Sequence, residues 1–525
     1  MGVYINPHHG GFEIEVDSKI YVDKSMLIKF CNESINGYAS SRFMCVTRPR
    51  RTGKTMALDM LNAYYSKGSN SCPLFKNLKI KDDSSFPLHL NKHNVIRLDV
   101  NYEYLICDDK DNFVTKMSSR VVSELKANYP DVVFDSNNLA DAIASIYEKR
   151  EEKFIFLIDD WDTIFRKEEF NHKLINSYMN FLESLFKGGP ASLALELVYM
   201  TGILPIKRFK TQSTLNMFKE FNMINPRNLV EFFGFTQNEV DELCYLHNMD
   251  KKEMRHWYNG YHYKNLDLYN PCSVVEAIQN KVFDDYWSTT SAREAITDYM
   301  NYDNGELKDT IAKMLVGEKI SFDPSLFEND LTQINSKDAA LTVLVHLGYL
   351  AYDEESKECY IPNYEISKEF VKATRDLKWN ELNNPILESR KLVEETLKGN
   401  VEYINETLDR NHKELAGPFN KNKEDILGVV VSISYYYLKN NYNISKEESN
   451  TLGRADLIFH PVKGNNPAII IELKVDASPE KAIEQIEEKG YTSSPGSYKG
   501  KVLLLGISYN SKTLKHSSKI KELFI

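Results

Sequence analysis

A chain of 525 residues exceeds what one hydrophobic core usually serves, so two or three domains are expected, each able to bury a core of its own. With 42% hydrophobic and 27% charged residues the composition is that of a soluble globular protein, and no apolar run approaches the ~18 residues of a membrane span. A formal net charge of -10 argues against a protein that coats nucleic acid nonspecifically, because such binding needs Lys and Arg to release counterions from phosphates.

The N-terminus, Met1-Gly2-Val3-Tyr4-Ile5-Asn6, has no basic start and no apolar core, so no secretory signal is expected, and Asn6 is not the Ser or Thr that myristoylation prefers. His8 and His9 form an isolated pair without ligand spacing. Up to about residue 235, strand-like runs (Arg42 to Thr47, Val95 to Val100, Phe154 to Ile158, Leu195 to Thr201) alternate with helical segments, which predicts βαβ units and a parallel sheet. Residues 236–390 are richer in helical periodicity and aromatic turns and read as a mostly helical middle domain. The last stretch, 391–525, predicts a helix over Lys423 to Leu438, strands at Arg454 to Phe459, Ala468 to Leu473 and Lys501 to Ile507, and a helix at about Pro479 to Lys489. Six lysines from Lys499 onward, against the single acid Glu522, read first as a solvated tail or helix face and second as a phosphate-tracking edge. The seven cysteines are odd in number, scattered and never spaced Cys-x-x-Cys, so neither a disulfide framework nor a zinc site is expected, and a reducing, cytoplasmic compartment fits.

Between the first strand and a helix lies Arg48-Pro49-Arg50-Arg51-Thr52-Gly53-Lys54-Thr55. Gly53, Lys54 and Thr55 match the closing half of a P-loop, in which a helix N-terminus and Lys54 hold phosphates and Thr55 ligates magnesium. The opening half departs: Arg48 stands where the first glycine belongs and Pro49 removes a donor, leaving Arg50 and Arg51 as further phosphate ligands. Phe154-Ile155-Phe156-Leu157-Ile158 then delivers Asp159-Asp160-Trp161-Asp162 to its C-terminal end, as a Walker B strand does. There Asp159 would hold magnesium, Asp160 would occupy the place of the catalytic carboxylate, and Thr201 could sense a γ-phosphate. The bland alternatives are a basic turn and an ordinary strand-end threonine.

Near the C-terminus, Asp456 precedes an apolar run, Ala468-Ile469-Ile470-Ile471, that ends in Glu472-Leu473-Lys474. Two acids on adjacent strands suit a hard cation, magnesium or manganese, with the Leu473 carbonyl as a further ligand. Lys474, two residues on, shares a strand face with Glu472 and would orient the attacking water. Glu424, or its neighbour Asp425, would complete the site from the preceding helix. The bland reading is a capped turn beside an exposed cross-strand ion pair, worth only ~0.2–1 kcal/mol.

The ordered series Tyr21-Val22-Asp23-Lys24, Arg48 to Thr55, Leu157 to Asp162, Phe233-Gly234-Phe235-Thr236, Trp257-Tyr258-Asn259-Gly260-Tyr261, Tyr269-Asn270-Pro271 and Tyr286 to Ser291 resembles the AAA-ATPase-like family that carries a C-terminal PD-(D/E)XK nuclease domain. The resemblance covers nearly the whole chain. It implies a P-loop NTPase-like domain joined to a restriction-endonuclease-like domain, with links to mobile elements or defence. That family tends to have Arg-Pro-Arg-Arg in this loop, and more often has Glu where Asp160 stands. Gln485 and Tyr491 resemble the Gln and Tyr that the superfamily places beside its metal, although their spacing is wider than the common one.

The expectation is therefore an α/β chain in three parts: an AAA-ATPase-like P-loop domain at 1–235, a helical middle at 236–390 and a nuclease-like α/β domain at 391–525. Its expected cofactors are ATP and magnesium or manganese, and its expected partner is nucleic acid, DNA ahead of RNA, with no membrane and with assembly of identical subunits left open. The expected function is metal-dependent phosphodiester cleavage gated by the P-loop domain. Two alternatives stand beside it: an ATP-dependent switch or scaffold whose nuclease fold only binds a partner, and a plain ATPase.

Overall fold

In a computed structural model, the residues described are 2–35, 37–38, 41–134, 136–206, 208–209, 212–213, 215–287, 293–300, 306–327, 334, 336–416, 423–440, 442–445, 457–462, 466–488 and 500–524. They group into two compact units. The first comprises Met1–Asn248, Gly260–Lys281 and Ser321–Cys359, and the second Met249–Asn259, Val282–Ile320 and Tyr360–Ile525. The middle stretch, 236–390, contributes segments to both.

The first unit contains α1 (Gly10–Val16), β1 (Phe43–Thr47), α2 (Lys54–Tyr65), β2 (Asn94–Asp99), β3 (Phe154–Asp159), β4 (Leu195–Gly202), β5 (Lys219–Phe221) and α3 (Pro271–Asn280). These five strands form one sheet in the order β2-β3-β4-β1-β5, all parallel. Every residue of β1 and β3 is buried, which explains why both read as unbroken apolar runs: helices cover both faces of a parallel sheet. Cys45, Phe156, Ile158 and Met200 pack on one side with residues of the helices Phe113–Asn128, Leu139–Arg150 and His172–Phe186. Val46, Ile155, Leu157 and Tyr199 pack on the other side with Phe12 of α1 and Leu58 and Leu61 of α2. Each such side chain contributes on the order of 1.5–3 kcal/mol by leaving water. Because β4 lies between β1 and β3, its C-terminal end reaches the level where both neighbours end, with Thr201 opposite Val46 and, on the far side of β3, Asp159 opposite Asp99.

In the second unit, helices Tyr364–Asp376 and Asn380–Leu397 lead to α4 (Val401–Ala416), α5 (Lys423–Ser434), β6 (Tyr442–Ser445), β7 (Leu457–Pro461), β8 (Ala468–Val475), α6 (Pro479–Glu488), β9 (Lys501–Asn510) and β10 (Lys515–Phe524). The strands pair in chain order, β6 to β10, and only β8 and β9 run parallel, as the α6 crossover between them requires. Ile469, Ile471, Leu503 and Leu505 meet Leu408, Leu427 and Val431 on one face, while Ile470, Val502 and Leu504 take Ile483 and Ile486 of α6 on the other. The α/β class, the parallel first sheet, the helical middle and the mixed C-terminal sheet are all as the sequence predicts. The lysine-rich end is not a tail or helix face. It forms the edge strand β10, where Lys501 pairs with Glu522 (2.7 Å), Lys515 with Asp409 (2.9 Å), Lys519 with Glu480 (3.3 Å) and Lys521 with Glu487. Charged side chains on an exposed edge discourage pairing with another strand.

Candidate nucleotide and nuclease sites

After β1 the chain turns through residues 48–53 into α2. Arg51 (φ 66) and Gly53 (φ 90) both adopt left-handed backbone. An added Cβ at Gly53 would meet nothing within 4 Å, so the glycine answers a demand of conformation and not of space. Arg48 is only 3% exposed. Its guanidinium donates to the carbonyls of Thr47 (2.9 Å) and Phe221 (2.8 Å) and lies over the Phe233 ring at 5.5 Å, so it braces β1 to β5 beneath the loop. Arg50 is exposed, and Arg51 donates to Sγ of Cys272 at 3.2 Å. Lys54 is buried, donates from Nζ to the Pro49 carbonyl at 2.8 Å, and is pushed down to about 8 by burial against the pull of Asp160, Asp159 and Asp162.

Asp159, 3% exposed, gathers the neighbouring hydroxyls. Thr55 donates to its Oδ2 at 2.8 Å, Thr201 to its Oδ1 at 2.6 Å, and the Asp160 N–H to Oδ1 at 3.0 Å. The interposed β4 is what puts Thr201 beside this carboxylate. Asp160 has φ 47, and burial, reinforced by Asp159, holds its carboxyl above the usual range. Sequence reasoning missed Arg166, on the short helix Thr163–Lys167: its Nη2 lies 3.7 Å from Asp160 Oδ1 and its Nε 2.8 Å from Asp162 Oδ2. The only signal was the four-residue spacing from Asp162. Fully buried Asp162 also accepts from the N–H groups of Ile203 (3.2 Å) and Leu204 (2.9 Å), tying the turn after β3 to the turn after β4. Thr55 and Asp159 offer the hard oxygen donors that suit magnesium.

A cavity of about 420 Å³ opens beside the loop. Arg51 to Thr55 line one part of it; Phe12, Ile20, Tyr21, Val22, Met56, Met60, Phe232 and Phe235 make the rest largely apolar, with Glu15 among them.

In the second unit, Glu472 is 1% exposed and accepts at 2.8 Å from Nζ of Lys474, so the two side chains share one strand face. That face is covered by α6. Gly506 on β9 sits opposite Glu472; a Cβ there would lie 2.3 Å from the Pro479 carbonyl and 3.1 Å from the Ala482 Cβ, so only glycine lets the start of α6 approach this closely. Gln485 is half-buried on α6, and Glu424 falls in the first turn of α5. Asp456 and Tyr491 lie outside the described residues. Among the described residues no three His, Cys, Asp or Glu side chains gather as a metal cluster. The donor that is described, a buried carboxylate, fits a hard divalent cation.

Residues 12–211 match the family model described as "Predicted AAA-ATPase", and residues 424–519 match the one described as "PD-(D/E)XK nuclease superfamily". The chain joins an AAA-ATPase-like domain to a PD-(D/E)XK superfamily domain. The matched ranges enclose the loop at 48–53, β3 and Thr201 in the first case, and β8 and α6 with all but the first residue of α5 in the second. A curated protein of Azotobacter chroococcum mcd 1, described as "Uncharacterized protein in vnfD 5'region", is 22% identical over 371 residues, covering 67% of this chain and 64% of that protein. The chain thus spans somewhat less than two thirds of that relative's length. Among the described residues no helix is long and apolar enough to cross a membrane.

Proposed function

We propose that this protein is a nucleotide-binding, divalent-metal-dependent nuclease that cleaves DNA phosphodiesters and is gated by its AAA-ATPase-like domain. The observation that carries the reading is the buried Glu472 carboxylate bound by Lys474 at the end of an otherwise apolar strand, since an acid there is costly unless cationic chemistry offsets it. A divalent cation held by Glu472 and Asp456 would supply Lewis acidity toward the phosphate. Lys474 orients the attacking water and offsets charge building on the phosphorus, while Gln485 and Glu424 complete the surroundings. In the first domain, Arg50, Arg51, Gly53 and Lys54 receive the phosphates of ATP, Thr55 and Asp159 hold magnesium, and Thr201 senses the terminal phosphate.

Arg166 beside Asp160 favours a second reading of the ATPase half. The ion pair holds that carboxylate toward Arg166 and away from an attacking water, so the nucleotide acts as a switch with slow turnover. The test incubates the full chain with labelled single- and double-stranded DNA and RNA, with and without ATP and Mn, beside Lys474→Ala and Glu472→Gln. Cleavage of DNA that both substitutions abolish is expected. Cleavage unchanged in both, or absent under every condition, overturns the nuclease reading.

A further inference from the structure

The nucleotide cavity has a polar group that the phosphate chemistry does not use. Glu15, near the end of α1, lines the cavity, as do the apolar Phe12, Ile20 and Met60. Its Oε2 is buried and has no hydrogen-bond partner among the described residues. A buried carboxyl oxygen without a partner costs free energy unless something that enters the cavity supplies one. The charged groups around it are already committed: Arg97 on β2 pairs with Asp59 on α2, and Lys24 donates to Glu239 (2.7 Å) and to the Glu231 carbonyl (2.7 Å).

We propose that Glu15 reads the hydrogen-bonding edge of an adenine base, donating to N1 and accepting from the 6-amino group. The proposal rests on the reading of this cavity as a nucleotide site. With the phosphates at Arg51 to Thr55, the base falls toward the apolar walls, where Glu15 is the one carboxyl among the described lining residues. Its protonation state suits that role, because burial, and then the Asp59 carboxylate beside it, push Glu15 up to about 8 against Arg97, with the Tyr21 hydroxyl as the remaining titratable neighbour. At neutral pH it therefore carries a proton and presents one donor and one acceptor, the complement of adenine N1 and N6. An ionised carboxylate would instead meet the N1 lone pair with two acceptors. Guanine would leave its 2-amino group without an acceptor against apolar walls, a penalty that sites of this kind use for selection.

The test is a cycle between residue and ligand atom, read as dissociation constants by calorimetry on the full chain. The ligands are ATP, GTP and 1-deaza-ATP, in which C–H replaces N1. Wild type is expected to bind ATP about 10-fold more tightly than either of the others. Glu15→Ala is expected to lose about 10-fold for ATP and to bind 1-deaza-ATP as well as ATP, whereas Glu15→Gln, which keeps one donor and one acceptor, retains the wild-type preference. If 1-deaza-ATP is weakened equally in wild type and Glu15→Ala, or GTP binds wild type as tightly as ATP, the inference falls. Lys54→Ala separates the two readings: ATP that binds it as tightly as wild type overturns the nucleotide site itself.

Discussion

Lowering the pH from 7.5 to 5 is expected to destabilise the second unit through His412. On α4, its imidazole stacks on Tyr509 with ring centroids 4.1 Å apart and lies 3.2 Å by Nδ1 from Nε2 of His516, whose own Nδ1 is 2.9 Å from Asp409 Oδ1. Both imidazoles are buried, at 7% and 4% exposure. Burial, and then the neighbouring His516, pull His412 down to about 4 from 6.5, while Asp409 pulls the other way. A folded value below the unfolded one means that the unfolded chain takes up the proton first. The stability is therefore complete above about pH 6.5 and is lost as the pH falls through the window down to about 4. The shift corresponds to about 3 kcal/mol at most, of which about 2 is gone by pH 5. Urea unfolding followed by tryptophan fluorescence reads this unit, because Trp257, Trp287 and Trp379 lie in it and only Trp161 does not. His412→Phe keeps a ring against Tyr509 and does not titrate. Wild type should lose about 2 kcal/mol more than this variant between pH 7.5 and 5. Equal losses in the two proteins would refute the argument.

Gly506→Ala should lower stability by about 1–3 kcal/mol, because its methyl group collides with the Pro479 carbonyl and α6 must move; a thermal melt that matches wild type counts against that packing. Thr201→Val removes a hydroxyl that donates to the buried Asp159 and should cost about 1 kcal/mol in urea unfolding, with no change meaning that the 2.6 Å contact contributes nothing. Lys474→Ala leaves Glu472 buried beside an empty place, so it should destabilise by about 1–3 kcal/mol, and Glu472→Leu combined with it should restore most of the loss. Failure of the double variant to recover would show that the pair is not what the strand responds to.

How much of this was legible in the chain follows from the physics of each element. Four strands of the first sheet were readable because a parallel sheet buried on both faces favours apolar runs, and β3 delivering Asp159 is such a run. The short β5, Lys219–Phe221, carries no such run and was not predicted. Glu472 and Lys474 were placed on one strand face by period two alone. β10 was not, since alternating Ser, Lys and Ile with charges on its open side looks like any solvated segment until β9 supplies its partner. The inward turn of Arg48 was equally hidden: the sequence shows only an arginine where a P-loop would have its first glycine, and the Phe221 carbonyl and the Phe233 ring reveal a brace. Glu15 depends on segments distant in sequence, so no local pattern could mark it, whereas Arg166 had only its four-residue spacing from Asp162 as a signal. The division of the middle stretch between two units is likewise a property of long-range contacts.

The chain passes between its two units five times, and this interleaving governs how the protein is made and how it can be dissected. The first sheet is complete once Phe221 has emerged from the ribosome, but Met249–Asn259 and Val282–Ile320 belong to a unit whose last strand ends at Phe524. At about 5–20 residues per second, those early pieces wait for tens of seconds with unburied apolar faces, which makes the nascent chain a natural client for chaperones. Truncation after Leu397 would not excise one activity cleanly, because it would remove α5, on which the helix Glu306–Leu315 packs. Only point substitutions can separate the two halves.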